Sequence, residues 1–76
     1  ISFSLGEPDF TTPKHIIEAA KKALDEGFTH YTASNGIKGL REAIAKKCRS
    51  ENQIPATPDT VIVTIAKHAI SSAILA

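Results

Sequence analysis

Three consecutive β-branched residues, Val61-Ile62-Val63, set the strongest constraint on what this chain can fold into. They read as a short strand apolar on both faces, and such a strand is stable only between neighbours and under cover on both sides. The only other strand-like stretch, Ser2-Phe3-Ser4-Leu5, alternates polar and apolar residues, stops at Gly6, and suits a short strand or an extended arm. Neither supplies the parallel neighbours that Val61-Ile62-Val63 needs. With 76 residues, the chain has little core to offer instead, since a domain near this size buries only about 60% of the surface its unfolded form exposes. Small domains are commonly reinforced by disulfides or a metal. The single Cys48 excludes an internal disulfide, and His15, His30 and His68 stand too far apart to form a zinc-type ligand set, so no metal site is expected. A partner, or further length of the same chain, remains as the source of cover. Leu75-Ala76 lacks any helix-terminating residue, which adds the expectation that the chain continues.

Around these stretches the pattern is helical. Glu7-Pro8-Asp9-Phe10 makes a turn, because Pro8 has no amide proton and restricts the residue before it. Thr12-Pro13 reads as a helix start, with the threonine as cap and the proline at the first helical position. That helix is expected to run to about Glu26, with Ile16, Ile17, Ala20, Ala23 and Leu24 on one face, Glu18 and Lys22 an i,i+4 step apart on another, and Gly27 as the stop. Thr32, Ser34, Asn35 and Gly36 mark a loop that contains Tyr31. A second amphipathic helix follows, with Ile37, Leu40, Ile44 and Cys48 on its apolar side and an exposed Glu42–Lys46 pair. Pro55 and Pro58 punctuate a polar connector before the strand. From about Ala66 the chain turns helical again, with Ile70, Ala73 and Ile74 on one face.

Nine basic and eight acidic side chains are scattered among the apolar positions. This near-neutral balance builds no field that would draw nucleic acid or an anionic membrane. No apolar run approaches the roughly 20 residues of a membrane helix, and no export signal is evident. With one free thiol, a reducing cytoplasm is the expected location.

The segments Ser4-Leu5-Gly6-Glu7-Pro8-Asp9-Phe10, Thr12-Pro13-Lys14-His15-Ile16, Thr29-His30-Tyr31-Thr32, and Gly36-Ile37 with Leu40-Arg41-Glu42-Ala43-Ile44 resemble consecutive motifs of the class I pyridoxal-phosphate-dependent aminotransferases. The similarity is nearest to the aspartate and aromatic aminotransferases of archaea and thermophilic bacteria, and it covers essentially the whole chain. It implies an α/β fold, this chain being the N-terminal fragment of a fold type I aminotransferase: an arm, two amphipathic helices, one strand and the start of a large-domain helix. Residues 1–36 would form the arm, first helix and interface loop, and residues 37–76 the second helix, connector, first large-domain strand and the start of its helix, together one incomplete domain.

The resemblance also implies roles for particular residues. Gly6 matches a glycine whose backbone amide faces the substrate α-carboxylate, an approach that only a residue without a Cβ allows; the alternative is a plain turn glycine. Phe10 and Thr11 would lie on a mobile segment that closes over substrate, although Phe10 suits a packing role equally. Tyr31 matches a tyrosine that crosses a homodimer interface to give its hydroxyl to the cofactor phosphate in the partner's site; the alternative is a half-buried loop aromatic. Arg41 and Glu42 read as a solvated helix face or local ion pairs. The segment Val63-Thr64-Ile65-Ala66-Lys67 matches a strand end and helix start whose amides hold the cofactor phosphate. Ala66 would line that cradle, and Lys67 would contact the phosphate or the distal carboxylate of an acidic substrate, or stand solvated in the first turn.

The sequence departs from the family pattern in places. Ile65-Ala66-Lys67 is one residue shorter than expected and has no glycine, Ala33 stands where proline is common, and Lys38-Gly39 stands where Pro-Glu commonly opens the helix. The cofactor-bearing lysine, the aspartate on the pyridine nitrogen and the arginine on the substrate carboxylate are implied to lie beyond Ala76. No catalytic residue is therefore expected within the chain, and the 76-residue piece alone is expected to be inactive. The implied function is part of an aminotransferase that moves an amino group between an amino acid, aspartate being favoured through Lys67, and a 2-oxo acid through pyridoxal phosphate. The competing reading is a catalytically silent fragment or protein-association module of the same fold.

Overall fold

A computed structural model describes residues 3–76. Its elements are α1 (Lys14–Asp25), α2 (Lys38–Glu51), a single turn of 3-10 helix (Pro58–Thr60) and α3 (Ala66–Leu75). The chain divides into two compact units, Ile1–His30 and Tyr31–Ala76.

In the first unit, α1 begins one residue later than the Thr12-Pro13 signal suggests. Pro13, not Thr12, is the capping residue, and its carbonyl accepts from the amides of Ile16 (3.0 Å) and Ile17 (3.1 Å) without help from any side chain. The C-terminus follows the sequence signal closely. Gly27 takes φ +86°, and the chain reverses through two bonds, Gly27 N–H to the Leu24 carbonyl (3.1 Å) and Phe28 N–H to the Ala23 carbonyl (3.0 Å). This is the Schellman arrangement, which satisfies the last carbonyls of a helix and favours a residue without a Cβ at the left-handed position. The expected Glu18–Lys22 pair is replaced by Lys21–Glu18 (3.7 Å) and Lys22–Glu26 (3.8 Å). All four side chains are exposed, so each pair contributes at most about 0.5 kcal/mol.

The second unit is organised by α2. Its ridge Arg41–Ala45–Arg49, at i, i+4 and i+8, faces the connector. Ala45 is 0% exposed and the connector's Ala56 is 9% exposed; these are the buried apolar residues among those described. A small residue at 45 lets the connector backbone come close, and the flanking arginines tie it down: Arg49 Nη1 donates to the Ala56 carbonyl (2.7 Å) and Arg41 Nη1 to the Pro58 carbonyl (2.9 Å). The least exposed residues of α2 are thus Arg41, Ile44, Ala45 and Cys48, which keeps Ile44 and Cys48 of the expected Ile37–Leu40–Ile44–Cys48 face and adds Arg41 and Ala45 beside them. Ile44 and Cys48 are half-buried, whereas Ile37 and Leu40 are exposed. Glu42 pairs with Lys38 (3.9 Å), not Lys46. The helix ends through Gln53, a non-glycine residue at φ +52°, with the amides of Asn52 (3.2 Å) and Ile54 (3.0 Å) both donating to the Cys48 carbonyl. The 3-10 turn is closed by Thr60, whose hydroxyl accepts from the Thr57 amide and donates to the Thr57 carbonyl, both at 2.9 Å.

The strand expected at Val61-Ile62-Val63 does not form, and the described residues contain three α-helices and no strand, so the α/β character read from the sequence is not realised within them. The backbone there is extended, with Val61 at φ −108°, ψ 130°. A backbone bond ties it to the loop, from Val63 N–H to the Asn35 carbonyl (3.0 Å), and Gly36 packs on Val63 beside it. A ladder needs successive bonds to a neighbouring strand, and the loop at Asn35 offers one point of contact. Expected burial on both faces is likewise reduced to one, for Val61 and Val63 are half-buried while Ile62 is 72% exposed. Residues 3–5 also lie outside any strand, and Ser2 of the expected arm lies outside the described residues.

Candidate functional site

The site residues expected from the sequence fall in both units. Gly6 belongs to the first, is exposed, and would meet nothing within 4 Å among the described residues if it carried a Cβ, so none of their contacts calls for glycine at this position. Phe10 and Thr11 are exposed in the same unit.

Tyr31, Ala66 and Lys67 belong to the second unit. Tyr31 is fully exposed. The loop that carries it is nevertheless well defined: the Thr32 hydroxyl donates to the Ala33 carbonyl (2.9 Å), and Gly36 N–H closes a turn onto the same carbonyl (2.9 Å). Gly36 at φ +101° then lets the chain pass directly over Val63, so close that a Cβ would lie 2.8 Å from Val63 Cβ. Ala66 and Lys67 open α3. Ile65, the capping residue, is extended (φ −72°, ψ 148°) and provides no side-chain cap, and the first turn contains no acidic residue. The first helical bond is Ala69 N–H to the Ile65 carbonyl (3.0 Å). The amides of Ala66, Lys67 and His68 thus belong to the group that a helix cannot satisfy internally, at the positive end of its dipole. Lys67 is exposed and joins no ion pair among the described residues. The first turn of α3 can present amides and an ammonium group to an anion, and the loop separately exposes a phenol. No cluster of three His, Cys, Asp or Glu side chains able to hold a metal occurs among the described residues, and no helix in them is long and apolar enough to cross a membrane.

Arg41 is not a solvated face residue but half-buried, with Nε donating to the Gly36 carbonyl (3.2 Å) and Nη1 to the Pro58 carbonyl (2.9 Å). A signal was present: a cation in the first turn of a helix opposes the dipole, so Arg41 on the first turn of α2 needs another reason to be there.

The chain matches the family model for aminotransferase class I and II over residues 1–76. It is 56% identical over 64 residues to a probable aspartate aminotransferase of Methanocaldococcus jannaschii, covering 84% of this chain and 17% of that protein. Similarity to aromatic-amino-acid aminotransferase 2 of Thermococcus litoralis is 56% over 69 residues, or 90% and 18% of the two chains. The aspartate aminotransferase of Bacillus subtilis is 46% identical over 71 residues, or 92% and 18%. The chain therefore spans under a fifth of the length of these curated relatives. No solved structure matches it significantly. With the family model matched from the first residue to the last, the chain belongs to the class I and II aminotransferases.

Proposed function

We propose that the chain is the N-terminal part of a pyridoxal-phosphate-dependent aminotransferase that moves an amino group between an amino acid, with aspartate favoured, and a 2-oxo acid, and that it acts as a homodimer in the cytoplasm. The observation that carries this reading is the family match over residues 1–76, joined to a second unit that leaves Tyr31 and the first turn of α3 bare. The residues present fit the phosphate end of the cofactor, since uncapped amides at Ala66 and Lys67, a cationic side chain and a phenol are the donor types that hold phosphate. When bound, pyridoxal phosphate supplies the electron sink for the chemistry.

In this proposal the chain's own residues bind and orient. The amides of Ala66 and Lys67 take phosphate oxygens, with the Lys67 ammonium either beside them or on the distal carboxylate of a dicarboxylic substrate. The Tyr31 hydroxyl donates to the phosphate in the partner subunit's site, and the Gly6 amide donates to the substrate α-carboxylate. The shortened Ile65-Ala66-Lys67 segment would cost one donor, or about 1–3 kcal/mol of cofactor affinity. The branched Ile65 at this point also supports a second reading, a catalytically silent association module of the same fold.

The complete polypeptide distinguishes the two. A continuation past Ala76 with the family's cofactor-bearing lysine in a Ser-x-x-Lys context, together with transamination of aspartate, supports the enzyme. A stop codon directly after Ala76 ends that reading. A Lys67→Gln variant should raise KM for aspartate more than KM for an amino acid with an apolar side chain; equal effects on the two would withdraw the distal-carboxylate role.

A further inference from the structure

Three contacts in the second unit converge on a single point, where the Tyr31 loop meets the segment leading into α3. The Val63 amide donates to the Asn35 carbonyl (3.0 Å). Gly36 passes so close to Val63 that a Cβ would lie 2.8 Å from Val63 Cβ and 2.9 Å from Cγ2. From α2, the Arg41 guanidinium donates to the carbonyl of Gly36 on one side (3.2 Å) and to that of Pro58 on the other (2.9 Å). The loop therefore rests on residue 63 and is fastened from behind to the connector that ends at residue 60.

Arg41 forms no ion pair among the described residues; its side-chain partners are these two backbone carbonyls. A planar guanidinium presents several donors at fixed angles, so one side chain can hold two carbonyls at a set separation. A lysine ammonium on a flexible stem does not impose that separation. The position opposes the dipole of α2, so the helix itself gains nothing from a cation there.

We propose that Arg41 is a positioning residue, which with Gly36 fixes the Tyr31 loop against the Val61–Ile65 segment and so sets where the Tyr31 hydroxyl stands relative to the first turn of α3. The proposal rests on the reading of Tyr31 as a phosphate donor given above. In the homodimer the clamp would act through Tyr31 on the partner's site and through the α3 segment on its own, linking the two sites through one side chain.

The test is a double-mutant cycle in the complete protein, reading the affinity for pyridoxal phosphate relative to pyridoxal, together with hydrogen exchange of the Val63 amide in the cofactor-free form. In the Arg41 background, Tyr31→Phe should lower the phosphate-dependent affinity by about tenfold or more, the loss expected for a hydrogen bond to a charged group. In the Arg41→Lys background the same change should cost about threefold or less, because a displaced hydroxyl has little left to lose. Exchange at Val63 should speed up in Arg41→Lys while the amides of α1 keep their rates. Gly36→Ala, which pushes the loop off Val63 and shifts the carbonyl that Arg41 holds while leaving the Arg41 side chain itself unchanged, should reproduce the loss of coupling and serves if Arg41→Lys folds poorly. An equal cost of Tyr31→Phe in all backgrounds overturns the clamp and leaves Tyr31 as a phosphate donor. A Tyr31→Phe variant with unchanged affinity in the Arg41 background overturns both.

Discussion

Gly36 meets two demands at once. Its φ of +101° lies where side chains are rarely tolerated, and its missing Cβ makes room for Val63. Gly27 meets only the first, since a Cβ there would touch nothing within 4 Å. Gly36→Ala is accordingly expected to be the more damaging of the two substitutions, destabilising the second unit by about 1–3 kcal/mol against about 1 kcal/mol for Gly27→Ala. Urea unfolding of the complete protein followed by hydrogen exchange in each unit would rank them. Gln53 shows the converse, a left-handed position filled by a residue with a side chain where a helix end commonly has glycine.

The helices were legible in the sequence because the features that end them are local. Gly27 announced the end of α1, and the shift from β-branched residues to Ala66 and Lys67 announced the start of α3. What was not legible depended on backbone groups distant in sequence. Arg41 looked solvated because its partners are carbonyls, which leave no side-chain signature at Gly36 or Pro58. The strand at Val61-Ile62-Val63 was over-read because β-branched composition reports what a segment would do with neighbours, and the described residues provide none. The candidate phosphate segment was found by resemblance, since three unremarkable residues after a strand-like run have no local signal of their own. A prediction at this scale uses the missing cap of α3. Ile65→Asp supplies an N-cap carboxylate and should stabilise the helix by about 1 kcal/mol, while the same carboxylate should repel phosphate and lower cofactor affinity. Circular dichroism and cofactor titration should therefore move in opposite directions; a rise in both would show that no anion is held there.

Among the described residues Ala45 and Ala56 are buried, while Phe3, Phe10, Phe28, Ile62, Ile70 and Ile74 are exposed. Burial this slight among the described residues cannot offset the conformational entropy of ordering so many of them. The isolated 76-residue polypeptide is thus expected to show no cooperative thermal transition and poor NMR dispersion, and to gain no single borohydride-fixed lysine when mixed with pyridoxal phosphate. A sharp, reversible transition of a monomer would contradict this. The extended segment at Val61-Ile62-Val63-Thr64-Ile65 carries a separate hazard. Five charge-free residues rich in β-branched side chains, with unladdered backbone and no proline or glycine, have the composition of segments that stack into intermolecular fibrils. Pro58 and Asp59 stand on one side and Lys67 on the other, as gatekeepers do. Asp59→Asn combined with Lys67→Gln removes both charges without changing the net charge, and thioflavin fluorescence of the isolated polypeptide should then rise sooner than in the parent. In the longer protein proposed above, whatever covers this segment would also have a kinetic role, because until it arrives these flanking residues would be the segment's nearest defence against self-association.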